Sequence, residues 1–195
     1  MKSWVLIPAK APDLAKTRLS GALTASERKR LFMAMLHHVA SVAAAAEHIE
    51  RVCILGPSRL GLADHFVHIA DPGGGLNAAL QATCSKLETG RLIIVHADLP
   101  HLTGQDIALL ANVPKYMMAI SPDRRRTGTN ALSLPLPSAG RFTFAFGSNS
   151  FARHRAEADR VGVPITTVLS QGLSLDIDEP DDLSNIPGLL INDAG

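Results

Sequence analysis

Short apolar runs alternate along the chain with longer stretches whose hydrophobic positions recur every three to four residues. The runs at Trp4–Pro8, Arg51–Leu55, Val67–Ala70, Arg91–Val95, Tyr116–Ser121, Ala131–Leu134 and Ile165–Leu169 predict strands. Helices are expected between them over Ser26–Glu47, Leu76–Leu87, Thr103–Ala111 and Ser148–Val161. Thr24 caps the first of these in this reading, because Glu27 follows it at the spacing of a capping box. The last opens on Ser148 and Asn149, both residues with side-chain oxygens suited to a helix start. Such alternation argues for an α/β fold with a mostly parallel sheet flanked by helices. Ligands of that architecture sit outside the carboxyl ends of the strands.

Composition narrows the picture to one domain. The chain has 195 residues, 46% hydrophobic and 19% charged, enough for one substantial core and short for two. A single domain over residues 1–191 with a loose tail at 192–195 is expected. Aromatic residues make up only 4%, so Ala, Leu, Val and Ile carry the core, which suits helices on a buried sheet. A net charge of +1 provides no global field for nucleic acid or an anionic membrane. The first residues show no charged leader and no apolar run reaches membrane-spanning length, so a cytoplasmic location is expected. Cys53 and Cys84 have no metal-ligand spacing and read as buried free thiols outside any mechanism.

Chemistry is therefore sought just after the strands. Behind the first strand, Lys10, Lys16 and Arg18 put three cations where a phosphate-rich ligand needs donors, although no Walker A loop exists in the chain. Asp71-Pro72-Gly73-Gly74-Gly75-Leu76-Asn77 leads from a strand into a helix. Its glycines admit close backbone approach to a nucleotide, with Gly75 and Asn77 as candidate contacts, and its spacing does not fit a dinucleotide fingerprint. Asp98, in His96-Ala97-Asp98-Leu99-Pro100, projects from a strand end where a carboxylate can ligate Mg²⁺. His96 and His101 lack the third ligand of a transition-metal site and read as packed or surface residues. Asp176 and Asp178 share a face if their segment is extended and can share a cation with Asp98. Alternatively Asp178 caps a helix beginning at Glu179-Pro180, with Asp181 and Asp182 as first-turn charges.

Taken in order, Ile7-Pro8-Ala9-Lys10, Ala15-Lys16-Thr17-Arg18-Leu19, Gly75-Leu76-Asn77, Asp98-Leu99-Pro100, Thr127-Gly128-Thr129-Asn130-Ala131-Leu132, Phe146-Gly147-Ser148-Asn149-Ser150-Phe151-Ala152-Arg153-His154 and Asp176-Ile177-Asp178 resemble the CofC/FbiD family. These are guanylyltransferases of coenzyme F-420 biosynthesis. The Thr-Gly-Thr-Asn and Phe-Gly-x-x-Ser-Phe-x-x-His pieces are specific to that family, whereas Asp-Leu-Pro and Asp-x-Asp mark only the wider superfamily. The resemblance implies a three-layer, Rossmann-like nucleotidyltransferase fold of GT-A type with a mixed, mostly parallel sheet. It also implies transfer of GMP from GTP to 2-phospho-L-lactate, phosphoenolpyruvate or 3-phosphoglycerate, with release of pyrophosphate. On matching positions, Asp98, Asp176 and Asp178 look like ligands of Mg²⁺ or Mn²⁺, Lys16 and Arg18 like triphosphate contacts, and Thr129, Gly147 and Ser150 like the acceptor-binding set. Lys16 and Asp98 are the expected catalytic pair. The partners implied are GTP and a small phosphorylated acid, with a homodimer left open and neither nucleic acid nor membrane expected. The chain departs from the family in Arg124-Arg125-Arg126, a cationic stretch that either touches an acidic substrate or, the preferred reading, is solvated. Two other readings compete: a transferase with a sugar or molybdopterin-type acceptor, and a nucleotide-binding module without turnover.

Overall fold

Side chains on a strand alternate between its two faces, and in the central strands both faces are apolar. Val5 and Ile7 of β1 (Ser3–Pro8) and Ile93 and Val95 of β4 (Arg91–Val95) enter one core, while Leu6, Leu92 and Ile94 enter another. A sheet buried on both faces needs helices on both faces, and the computed structural model shows that three-layer arrangement. It describes residues 2–85, 87, 89–136 and 138–186. The expected 192–195 tail lies outside the described residues.

The first layer is α1 (Ala25–Ala45) and α3 (Gly104–Ala111), which bury Leu36, Val39, Ala40, Ile107 and Leu110 against the sheet. The second is α2 (Leu76–Cys84) and α4 (Ser150–Val161), with Leu80, Phe142 and Ala158 in its core. Thr24 and Glu27 form the expected capping box on α1, and Thr103 with Asp106 form another on α3. Cys53 and Cys84 are buried and free. Among the described residues no helix is long and apolar enough to cross a membrane.

The sheet completes with β2 (Ile49–Gly56), β3 (Val67–Ala70), β5 (Met118–Pro122), β6 (Thr129–Pro135) and β7 (Ile165–Thr167) in the order β3-β2-β1-β4-β6-β5-β7. Only the pairings of β6 with β4 and β5 are antiparallel. From β1 the chain builds outward through β2 and β3, then crosses to place β4 on the other side of β1. That reversal opens a crevice between the carboxyl ends of β1 and β4, the usual ligand site of an open α/β sheet.

Several element limits differ from the sequence expectation. Tyr116 is exposed ahead of β5 and Leu169 exposed beyond β7, since neither has a core position to fill. The fourth long helix starts at Ser150, because Asn149 adopts a left-handed backbone (φ 55°) and offers no capping bond. A short helix, α5 (Gln171–Ser174), precedes the Asp176–Asp178 segment.

Candidate active site

A small third cluster of Leu19, Leu31, Met35 and Ile177 brings two distant stretches of sequence together. Leu19 and Ile177 are fully buried, so their neighbours Lys16, Arg18, Asp176 and Asp178 are carried to one place by apolar packing. The Ile177 N–H donates to the Asp98 carbonyl at 3.2 Å, which adds the turn after β4 to the same group.

Lys16 is the centre of it. Its backbone is left-handed (φ 54°, ψ 36°), a conformation costly for a residue with a side chain and typical of functional positions. The ammonium is almost fully buried and donates to Asp98 Oδ2 and, at 2.9 Å, to Asp178 Oδ1. Burial opposes the Lys16 charge, but Asp98 and Asp178 outweigh it and hold the group protonated, with its pKa raised. Burial likewise opposes the Asp98 charge, and Lys16 reverses that and keeps the carboxylate ionised. Arg18 is exposed, 3.7 Å from Asp178 Oδ2.

Asp176 stands differently. Its Oδ1 accepts from Asn130 Nδ2 at 3.2 Å, and burial together with the nearby Asp98 charge pushes its pKa up to about 6. Asn130 is a supporting residue whose role sequence reasoning did not assign, although it sits inside the Thr-Gly-Thr-Asn motif. Asp182 is another. Rather than a plain first-turn charge, it is buried, and its Oδ2 accepts the N–H groups of Asp178 (3.1 Å) and Glu179 (2.8 Å). Glu179, not Asp178, caps the short helix at Pro180–Asn185, so Asp178 is left to face Lys16. The arginine stretch is not simply solvated. Arg124 pairs with Asp182 at 3.1 Å and Arg125 with Glu179 at 2.7 Å, tying the 123–128 turn to the Asp178 segment.

These groups floor a cleft of about 600 Å³, within the size range of small-molecule sites. Lys10, Lys16, Arg18, Gly75 and Gly147 line it, as do Asp98 and Asp178. Gly73, Gly74 and Gly75 all have φ between 81° and 87°, a region that favours glycine, and they deliver the chain into the start of α2. Asp71 and His96, absent from the expected set, also line the cleft, and the buried His96 Nε2 has no partner among the described residues. A smaller cavity of about 160 Å³ shares Arg18 and Asp178 with the cleft and is lined by Asp176 and Thr127.

Of the expected nucleotide and acceptor contacts, three do not line the cleft. The Asn77 side chain donates to the Phe146 carbonyl (3.1 Å) and accepts the Phe146 N–H (2.8 Å), which fastens α2 to the chain entering Gly147. Thr129 Oγ1 pairs with His154 Nδ1 at 3.0 Å, and both residues are buried. Ser150 is buried at the start of α4, its N–H on the Gly147 carbonyl at 3.1 Å. The structure thus gathers Lys10, Lys16, Arg18, Gly75, Asp98, Gly147 and Asp178 on one cleft, with Asp176, Asn77, Thr129 and Ser150 behind its wall or beside it.

The acidic group suits a hard divalent cation. Asp98 Oδ1 is buried without a partner among the described residues, and Asp176 is buried beside the charges of Asp98 and Asp178. Oxygen-only donors match Mg²⁺ or Mn²⁺ rather than zinc. Among the described residues no three acidic, His or Cys side chains already converge as a metal cage, since Lys16 stands between Asp98 and Asp178.

Comparisons with known proteins place the chain in a family. The chain is 37% identical to the phosphoenolpyruvate guanylyltransferase of Sphaerobacter thermophilus, over 96% of this chain and 94% of that protein. It is 34% identical to the 2-phospho-L-lactate guanylyltransferase of Methanothermobacter thermautotrophicus, over 95% of this chain and 84% of that one. A solved nucleotidyl transferase from the same archaeon shares the fold, with a TM-score of 0.65 at 12% identity, covering 98% of this chain and 99% of that chain. Residues 3–190 match the family model described as guanylyl transferase CofC like, and the chain belongs to that family.

Proposed function

We propose that this protein transfers a guanylyl group from GTP to a phosphorylated three-carbon acid, such as phosphoenolpyruvate or 2-phospho-L-lactate, and releases pyrophosphate, a step of coenzyme F-420 biosynthesis. The observation that carries it is the meeting of Lys16 with Asp98 and Asp178 on the floor of the glycine-lined cleft, in a chain of this family. Family membership also favours this acceptor class over a sugar or a pterin.

An acceptor phosphate is largely ionised at neutral pH and attacks the α-phosphorus of GTP without a general base. The new bond joins the acceptor oxygen to that phosphorus as the bond to the β-phosphate bridging oxygen breaks. Lys16, with Lys10 and Arg18 on the same wall, neutralises the triphosphate and the departing pyrophosphate. Glycine N–H groups around Gly75 and Gly147 admit donor and acceptor close to the backbone. Asp98, Asp176 and Asp178 would hold Mg²⁺ or Mn²⁺. When bound, the metal supplies further charge neutralisation on the phosphates. No residue is required to move a proton, in keeping with the lack of a nucleophile and base pair among these side chains.

Pyrophosphate release with GTP, Mg²⁺ and each of 2-phospho-L-lactate, phosphoenolpyruvate and 3-phosphoglycerate tests the proposal. Release that requires both GTP and one of the acceptors is expected. Release independent of acceptor, or none with any of the three, contradicts it.

A further inference from the structure

His154 is fully buried on α4, four residues past Ser150, where a polar ring has no need of a place in an otherwise apolar layer. Its ring lies among Phe142 and Phe146, with centroids at 5.7 Å and 4.6 Å. Both ring nitrogens are nevertheless satisfied. The backbone N–H of Ala145 donates to Nε2 at 3.0 Å, so Nε2 carries no proton. A neutral imidazole then carries its proton on Nδ1 and donates it to Thr129 Oγ1, also at 3.0 Å.

We infer that His154 is a positioning residue for the acceptor, joining in one ring the three segments that carry Thr129, Gly147 and Ser150. One nitrogen fixes β6 at Thr129, the other fixes the chain two residues before Gly147, and the backbone of His154 continues the helix that Ser150 opens. Accepting from the ring, the Thr129 hydroxyl is fixed behind the wall of the cleft that Gly147 lines, so the ring holds the shape of that wall for the acceptor. Burial supports this arrangement by holding the ring neutral, with its pKa lowered to about 4. The inference rests on the guanylyl-transfer reading for its substrate, but the geometry of the ring does not.

The test uses His154→Phe, which keeps a ring between Phe142 and Phe146 and removes both hydrogen bonds, and His154→Asn, whose amide can restore the donor toward Thr129. Initial rates of pyrophosphate release, with acceptor and GTP varied separately, should show the acceptor KM raised roughly tenfold or more in His154→Phe. The GTP KM should change by less than about twofold, and His154→Asn should recover part of the acceptor loss. An equal rise in both KM values, or an unchanged acceptor KM in folded His154→Phe, overturns the inference. Nitrogen–proton correlation NMR of the wild type should find the Nδ1–H tautomer near neutral pH, and the Nε2–H form overturns it. Calorimetric titration with phosphoenolpyruvate reads the site without turnover. Binding weakened in His154→Phe supports the inference even if the wild type releases no pyrophosphate, a result that would defeat only the transfer reading. Equal affinity, or no binding to the wild type, overturns it.

Discussion

Asp182→Ala is expected to destabilise the fold and to loosen the proposed metal site together. The substitution removes three hydrogen bonds, from the N–H groups of Asp178 (3.1 Å) and Glu179 (2.8 Å) and from Arg124 (3.1 Å). Asp182 is 11% exposed but Arg124 is 51% exposed, so solvent screens the ion pair and leaves it worth at most about 0.5 kcal/mol. Each amide bond to an ionised acceptor contributes about 1.5–3 kcal/mol in isolation. Both share one oxygen and water can replace part of what is lost, so the combined cost is set at about 2–4 kcal/mol. In a chain of this size each kcal/mol lowers Tm by about 2–4 °C, which predicts a drop of about 4–16 °C. Asp182→Asn keeps an oxygen for the two amides and should lose about 1 kcal/mol. Since the lost anchor sits on the backbone of Asp178, the Mg²⁺ concentration for half-maximal activity should rise roughly tenfold in Asp182→Ala. Differential scanning calorimetry and a Mg²⁺ titration of the rate measure both. A Tm within about 2 °C of wild type with an unaltered Mg²⁺ requirement refutes the reasoning, and a fall in Tm alone refutes its positioning half.

Asp98→Asn should reduce kcat by roughly two orders of magnitude or more while the protein stays folded, and near-normal turnover in a folded variant would show a turn residue instead. Lys16→Ala should raise the GTP KM far more than the acceptor KM, because the proposal sets the ammonium it removes against the triphosphate, and an unchanged GTP KM contradicts the assignment. Stability should fall with acid: His154, among Phe142 and Phe146 with Arg153, His96 and Glu157 acting on its charge, titrates at about 4 rather than 6.5. The unfolded chain therefore binds the extra proton first. The His154 contribution is present above pH 6.5 and is lost as pH falls toward about 4. Melting curves of wild type should slope through that window, and His154→Phe should flatten the slope.

Strands and helices were legible because their periodicity is strong. β3 and β4 agree with expectation to the residue, and the Thr24–Glu27 box announces α1. The edges failed where no core position constrains them, at Tyr116 and Leu169. Lys16, Asp98 and Asp178 were legible from strand-end position and motif. Their direct union was not, because it depends on Leu19 packing with Ile177 across most of the chain. Sequence spacing also could not show that the Asn77 and Thr129 side chains are engaged by their own fold, since a polar side chain has the same letter whether it meets a ligand or another group of the protein. The arginine stretch illustrates the converse. A charge run reads as solvated until Asp182 and Glu179 are found opposite it.

The most direct test of guanylyl transfer is phosphorus NMR of the products formed from GTP, Mg²⁺ and phosphoenolpyruvate or 2-phospho-L-lactate. The account predicts free pyrophosphate and, in equal amount, a new pair of mutually coupled resonances from a diphosphate bridge between guanosine and the acceptor. Appearance of GDP and inorganic phosphate instead, with no coupled pair in the presence of any phosphorylated three-carbon acid, would contradict it.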